Sequence, residues 1–195
     1  MHVSLYRWIS GKNFLNQYAI RLDDHGAVFH IHYWGVVPKH FDNPTHKPSF
    51  FEVCYVVDGN GTYIDDGVNY PLKENVMFFS RPGILHQIKS ESGLYLLYVG
   101  FELLKSQSKE KWIRRMEEAE QCPEVVKPVQ YDITASSLWK SLLIQAAQPI
   151  HGFFEELLTH LAYALILSLL QTFVPYLQND DHKTSAKTSS LLLNQ

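Results

Sequence analysis

The 195-residue chain carries 17 Lys and Arg against 20 Asp and Glu, a net charge of −3, and 46% hydrophobic residues. That balance argues against a phosphate-binding surface built from bulk positive charge, and it suits one core of ordinary size. Cys54 and Cys122, the two cysteines, show no metal-ligand spacing and support no disulfide, so a reducing compartment is expected.

Residues 1–17 contain Tyr6, Trp8, Ile9 and Phe14 but lack the positive start and continuous apolar core of a secretory signal. They read as an N-terminal arm or a disordered terminus, and the protein is expected in the cytoplasm. Short strands follow. Phe50 to Val57 is rich in aromatic and β-branched residues and stops at Asp58-Gly59-Asn60-Gly61. Thr62 to Asp65, Asp66-Gly67 and Val68 to Leu72 predict a tight hairpin, because Asp-Gly supplies the positive φ that a two-residue turn requires. Val76 to Phe79, His86 to Ile88 and Leu94 to Phe101 complete a set suited to a barrel, which leaves few exposed strand edges.

The composition changes after Phe101. A charged segment from Lys105 to Glu120, ended by Cys122-Pro123, predicts a surface helix, with its mixed charges on a solvated face. Ser136 to Gln145 predicts a second helix with a Ser cap. From His151 to Tyr176, apolar residues recur every three or four positions and predict a third helix with an unusually wide apolar face. Its nearly unbroken apolar stretch, Leu161 to Leu170, is shorter than the roughly 20 residues a bilayer span needs, so no membrane role is expected. Such a helix must bury two sides, either within its own subunit or partly on a second copy. From Asn179 the chain turns polar and reads as a linker over 179–195, closing on the apolar pulse Leu191-Leu192-Leu193.

Alternation places His30, His32 and Trp34 on one face of a strand and Phe29, Ile31 and Tyr33 on the other. Two imidazoles beside an indole suit a sugar or another small polar molecule, with Glu52, Arg81, His86 and Tyr98 as hydrogen-bonding partners. The competing reading has His30 and His32 facing solvent and Trp34 in the core. Tyr95 and Tyr98 fall on opposite faces, so at most one of them lines a cavity. No phosphate-cradling glycine loop or nucleophile elbow occurs in the chain.

His46, Glu52, the Val56-Val57-Asp58-Gly59-Asn60-Gly61-Thr62 turn, the Gly67 to Leu72 hairpin and Pro82-Gly83-Ile84-Leu85-His86 together resemble the cupin-like effector domain of AraC-type transcription regulators over about residues 18–102. The resemblance implies a mainly β fold with α: a cupin-like jelly-roll barrel over 18–102, then a C-terminal helical hairpin within 103–178. It also implies dimerisation through the 151–176 helix, an N-terminal arm able to fold over the pocket, and DNA contact through a further helix-turn-helix domain beyond the linker. Metal-holding cupins use a His-x-His pair, a Glu and a distant His. His46, Glu52 and His86 match three of those positions, while the remaining one falls on Pro48, which has no donor. No cofactor is therefore expected, and the leading function is effector sensing. A small metal-dependent isomerase or dioxygenase using His46, Glu52 and His86 is the alternative.

Overall fold

Asp66 and Gly67 adopt φ of 47° and 81°, the left-handed pair expected of a two-residue hairpin. They join β4 (Gly61–Asp65) to β5 (Val68–Leu72), which with β7 (His86–Lys89) forms a three-stranded antiparallel sheet in the order β5-β4-β7. Pro71 lies in β5, an edge strand, where a missing N–H costs least. These features belong to a computed structural model that describes residues 5–129, 134–148 and 151–174.

The larger sheet has six strands in the order β1-β2-β8-β3-β6-β9, with antiparallel pairing throughout. They are β1 (Arg21–Asp24), β2 (Ala27–His40), β8 (Leu94–Leu103), β3 (Phe51–Asp58), β6 (Val76–Ser80) and β9 (Val126–Pro128). The two sheets face each other as a jelly-roll barrel. A backbone bridge between His46 and His86 extends the smaller sheet, with N···O distances of 3.1 and 2.9 Å.

Both faces of the large sheet are apolar, which explains the nearly continuous hydrophobic runs of β6 and β8. Cys54, Val56, Phe78 and Leu96 point into the barrel, where they meet Tyr63, Leu72 and Ile88. The alternate residues Phe51, Val53, Phe79, Val99 and Phe101 point outward into a second, larger core shared with the helices. Phe79 stacks there on Phe173 with ring centroids 5.1 Å apart.

The helical layer consists of α1 (Leu5–Tyr18), α2 (Glu110–Glu120), α3 (Thr134–Ala146) and α4 (Phe154–Phe173). The N-terminal segment departs from the arm expected of it. Most of it is helix, packed on α3 and β2, with Leu15 and Ala19 in the outer core rather than across the barrel interior. The charged segment forms the expected surface helix, its charges on the solvated face and Trp112, Met116 and Ala119 on the buried one. Helix α3 begins at Thr134, two residues before the anticipated Ser cap. By length and composition α4 could cross a membrane, but it packs against α1, α3 and β1 and buries Leu158, Ala162, Leu165, Ile166 and Leu169 within the chain. The linker expected over 179–195 lies outside the described residues.

Candidate functional site

The barrel interior is polar along one short stretch. In register, Glu52 on β3 lies beside Gly100 on β8, and Gly100 in turn lies beside Tyr33 on β2. A Cβ at Gly100 would come within 2.7 Å of the Tyr33 ring, and one at Gly35 within 2.0 Å of the Tyr98 ring. These two strand glycines are seats for tyrosine rings, the usual meaning of a glycine inside a strand. Tyr33 and Tyr98 meet edge to face at 5.7 Å.

Tyr33 Oη donates a hydrogen bond to Glu52 Oε2 at 2.5 Å, and Cys54 Sγ donates to Glu52 Oε1 at 3.6 Å. Burial raises the Glu52 pKa, and the Tyr33 and Cys54 donors and the nearby His46 oppose that shift. Burial likewise raises the Tyr33 phenol, with the Glu52 charge adding to the effect. Cys54 and Tyr98 are raised for the same first reason.

His86 projects from β7 with its ring 4.2 Å from that of His46 and 5.9 Å from that of Tyr63. It is 2% exposed, and neither ring nitrogen has a hydrogen-bond partner among the described residues. Burial, followed by the neighbouring His46, lowers its pKa to about 4, so the ring is neutral at physiological pH. A neutral imidazole offers one donor and one acceptor. Together with the Glu52 carboxylate and the Tyr33 and Tyr98 phenols, it gives the barrel interior hydrogen-bonding groups and aromatic faces of the kind that bind small molecules.

Other expected residues lie elsewhere. Trp34 does not share a face with His30 and His32, because the β2–β8 register shifts between Ile31 and Tyr33 and a one-residue slip exchanges faces. Trp34 is instead 3% exposed in the outer core, and its indole Nε1 donates to the Ala19 carbonyl at 2.9 Å. Tyr33, assigned by alternation to the opposite face, takes the interior position. Arg81 turns its guanidinium to protein partners: Nη2 donates to Asp65 Oδ2 at 2.5 Å and Nη1 to the Cys122 carbonyl at 2.9 Å. His30 and His32 stay together, their rings 4.9 Å apart, next to Glu102. Tyr95 packs on Trp8, on the helix side, and Tyr98 faces inward. His46, Glu52 and His86 do not bring their donor atoms together as a ligand set. Among the described residues, the one group of three with donors all within 4.8 Å of one another is His30, His32 and Glu102.

A jelly-roll barrel lined by a half-buried carboxylate, phenols and a neutral imidazole defines a cupin-type small-molecule-binding domain. The comparisons make this more specific. The AraC-like ligand binding domain family matches residues 27–194, and the chain belongs to that family. It is 47% identical over 193 residues to an uncharacterized HTH-type transcriptional regulator, YfiF, from Bacillus subtilis strain 168. That alignment covers 99% of this chain and 62% of the relative, so the chain spans less than two thirds of the relative's length. Among solved structures, an RmlC-like cupin from Shewanella frigidimarina is 20% identical, with 49% of this chain and 90% of that one covered and a TM-score of 0.32. The Schizosaccharomyces pombe Cnp3 cupin domain is 11% identical, with coverage of 49% and 65% and a TM-score of 0.32.

Proposed function

We propose that the chain is the effector-sensing and dimerisation part of an AraC-type transcription regulator, a cytoplasmic protein that binds a small polar molecule and catalyses no reaction. The observation that carries the reading is Glu52, a half-buried carboxylate held by Tyr33 beside Tyr98 and close to His46. A hydroxyl-bearing ligand suits it, with sugars first among the candidates: Glu52 accepts from hydroxyls while Tyr33 and Tyr98 cover the C–H face. The metal-enzyme alternative draws no support from this geometry, since Pro48 has no donor and His46, Glu52 and His86 do not converge. DNA is contacted by a helix-turn-helix domain outside this chain, consistent with the name of the Bacillus relative. The effector acts by binding one arrangement of the dimer better than the other, because equal affinity for both would shift nothing.

A thermal-shift screen of the chain against sugars and other small metabolites tests the pocket. A ligand that binds the folded state raises the unfolding midpoint. Glu52→Gln keeps an acceptor for Tyr33 but removes the charge, and it should weaken such a ligand about tenfold or more, about 1.4 kcal/mol. A hit indifferent to Glu52→Gln and Tyr98→Phe, or one that is chemically consumed, would count against the reading.

The proposed dimer pairs through α4. Along its outer side Leu157 is 39% exposed, Leu161, Ala164 and Leu167 are half-buried, and Phe153 just before the helix is 76% exposed. These positions form an apolar stripe at helical spacing, the kind of surface a second copy covers. Light scattering at about 50 μM, where even micromolar dimers are populated, should report a dimer, and Leu157→Glu with Leu167→Glu a monomer. A monomeric parent chain under those conditions would end the proposal.

A further inference from the structure

Beyond the Glu52 site, the inner face of the large sheet continues toward the barrel rim. One step past the Glu52–Gly100 pair, His30 on β2 lies opposite Glu102 on β8. The irregularity between Ile31 and Tyr33 adds His32 to this group, since a bulge sets two residues of one strand against one of its partner and re-aims a side chain. His32 Nε2 lies 3.1 Å from Glu102 Oε1. Its ring stacks on Phe50 at 4.1 Å with 22° between the planes, and meets His30 edge to face at 4.9 Å.

The donor atoms of His30, His32 and Glu102 all lie within 4.8 Å of one another. A simple ion pair needs one imidazole and one carboxylate. Here the bulge brings a second imidazole alongside, and Phe50 holds the first against one of its faces. Two imidazoles and one carboxylate this close together are a donor set for a first-row transition ion with open coordination positions. We propose that His30, His32 and Glu102 form a divalent transition-metal site of the zinc, cobalt and nickel class at the barrel rim. The site is separate from Glu52 and does not depend on what the interior binds. Two of its ligands lie on β2 and the third on β8, so an ion there pins the two strands together at the bulge. Its open positions admit water or a donor atom of a small molecule entering the barrel.

The test is calorimetric titration of the whole 195-residue chain with zinc, and a parallel optical titration with cobalt. One equivalent should bind with a Kd of about 10 μM or tighter, while magnesium and calcium, which prefer all-oxygen sites, should not compete. His30→Gln, His32→Gln and Glu102→Gln should each weaken zinc at least tenfold. Metal-free unfolding midpoints should stay within about 3 °C of the parent, because these side chains are partly exposed. His32→Gln in particular keeps a side chain of similar reach over Phe50. Absence of zinc and cobalt binding at about 100 μM would overturn the proposal. So would binding that survives all three substitutions, or that is abolished by His86→Gln and untouched by His32→Gln, which would place the ion in the interior.

Discussion

Replacing Arg81 with Met should destabilise the protein by about 3–5 kcal/mol, the usual result of leaving one member of a buried ion pair alone. Asp65 is 4% exposed, and its Oδ2 accepts from the Arg81 guanidinium while Oδ1 lies 3.2 Å from the Tyr63 hydroxyl. The same hydroxyl is 3.0 Å from Ser80 Oγ, and Arg81 also reaches the Cys122 carbonyl. The cluster therefore joins β4 of the small sheet, the end of β6 in the large sheet and the turn after α2. Loss of the guanidinium strands a carboxylate and a carbonyl where water does not replace it. Urea denaturation measures the loss, and adding Asp65→Asn to Arg81→Met should recover at least about 1 kcal/mol by removing the stranded charge. An Arg81→Met protein as stable as the parent would mean that Arg81 is free for other work, including the effector contact expected of it.

Trp34→Ala should cost about 3–5 kcal/mol, the range for deleting a large buried aromatic side chain. The indole fills the outer core between β2 and α1, and its N–H satisfies the Ala19 carbonyl just past that helix. Asn16 binds the Trp34 backbone on both sides, with Nδ2 donating to its carbonyl at 2.8 Å and its N–H donating to Oδ1 at 2.9 Å. Trp34→Phe keeps most of the apolar contact and loses the N–H, so about 1–2 kcal/mol is expected. A stacking platform in an open pocket would behave differently: the alanine variant would fold normally and lose only ligand. Unfolding midpoints of the two variants distinguish these roles without any ligand in hand.

Local chemistry explains which parts of the molecule were legible from residue order. The Asp66-Gly67 hairpin is set by backbone sterics at two adjacent residues, so it could be read directly. The period of α4 survives in the sequence because one helix face is buried over five turns. Trp34 was misplaced because alternation assumes an unbroken strand, and the register shift at Ile31 to Tyr33 leaves no compositional mark. Gly35 and Gly100 did carry a signal, since each is a strand glycine beneath a tyrosine ring, and reading them as seats would have brought Tyr33 and Tyr98 to one site. Residue type alone makes Arg81 a hydrogen-bonding partner for a polar ligand, whereas its actual partners Asp65 and Cys122 lie 16 and 41 residues away in the chain. Such pairings depend on the closed barrel and have no short-range pattern. Helix α1 was hidden for a related reason: it is held by contacts with α3 and β2 rather than by a strong apolar stripe of its own.

The large sheet separates two environments with a single layer of backbone. Glu52 faces the barrel interior, while its neighbours Phe51 and Val53 face the helices, and Phe51 stacks on Phe79, which stacks on Phe173 of α4. Between Glu52 and the helix lie only one peptide unit and two ring contacts. Coupling of this kind runs equally in both directions. If the strands carry effector binding to α4, then pairing of two α4 helices must alter effector affinity by the same factor, and the apparent sensitivity of the regulator becomes a function of how much of it the cell makes.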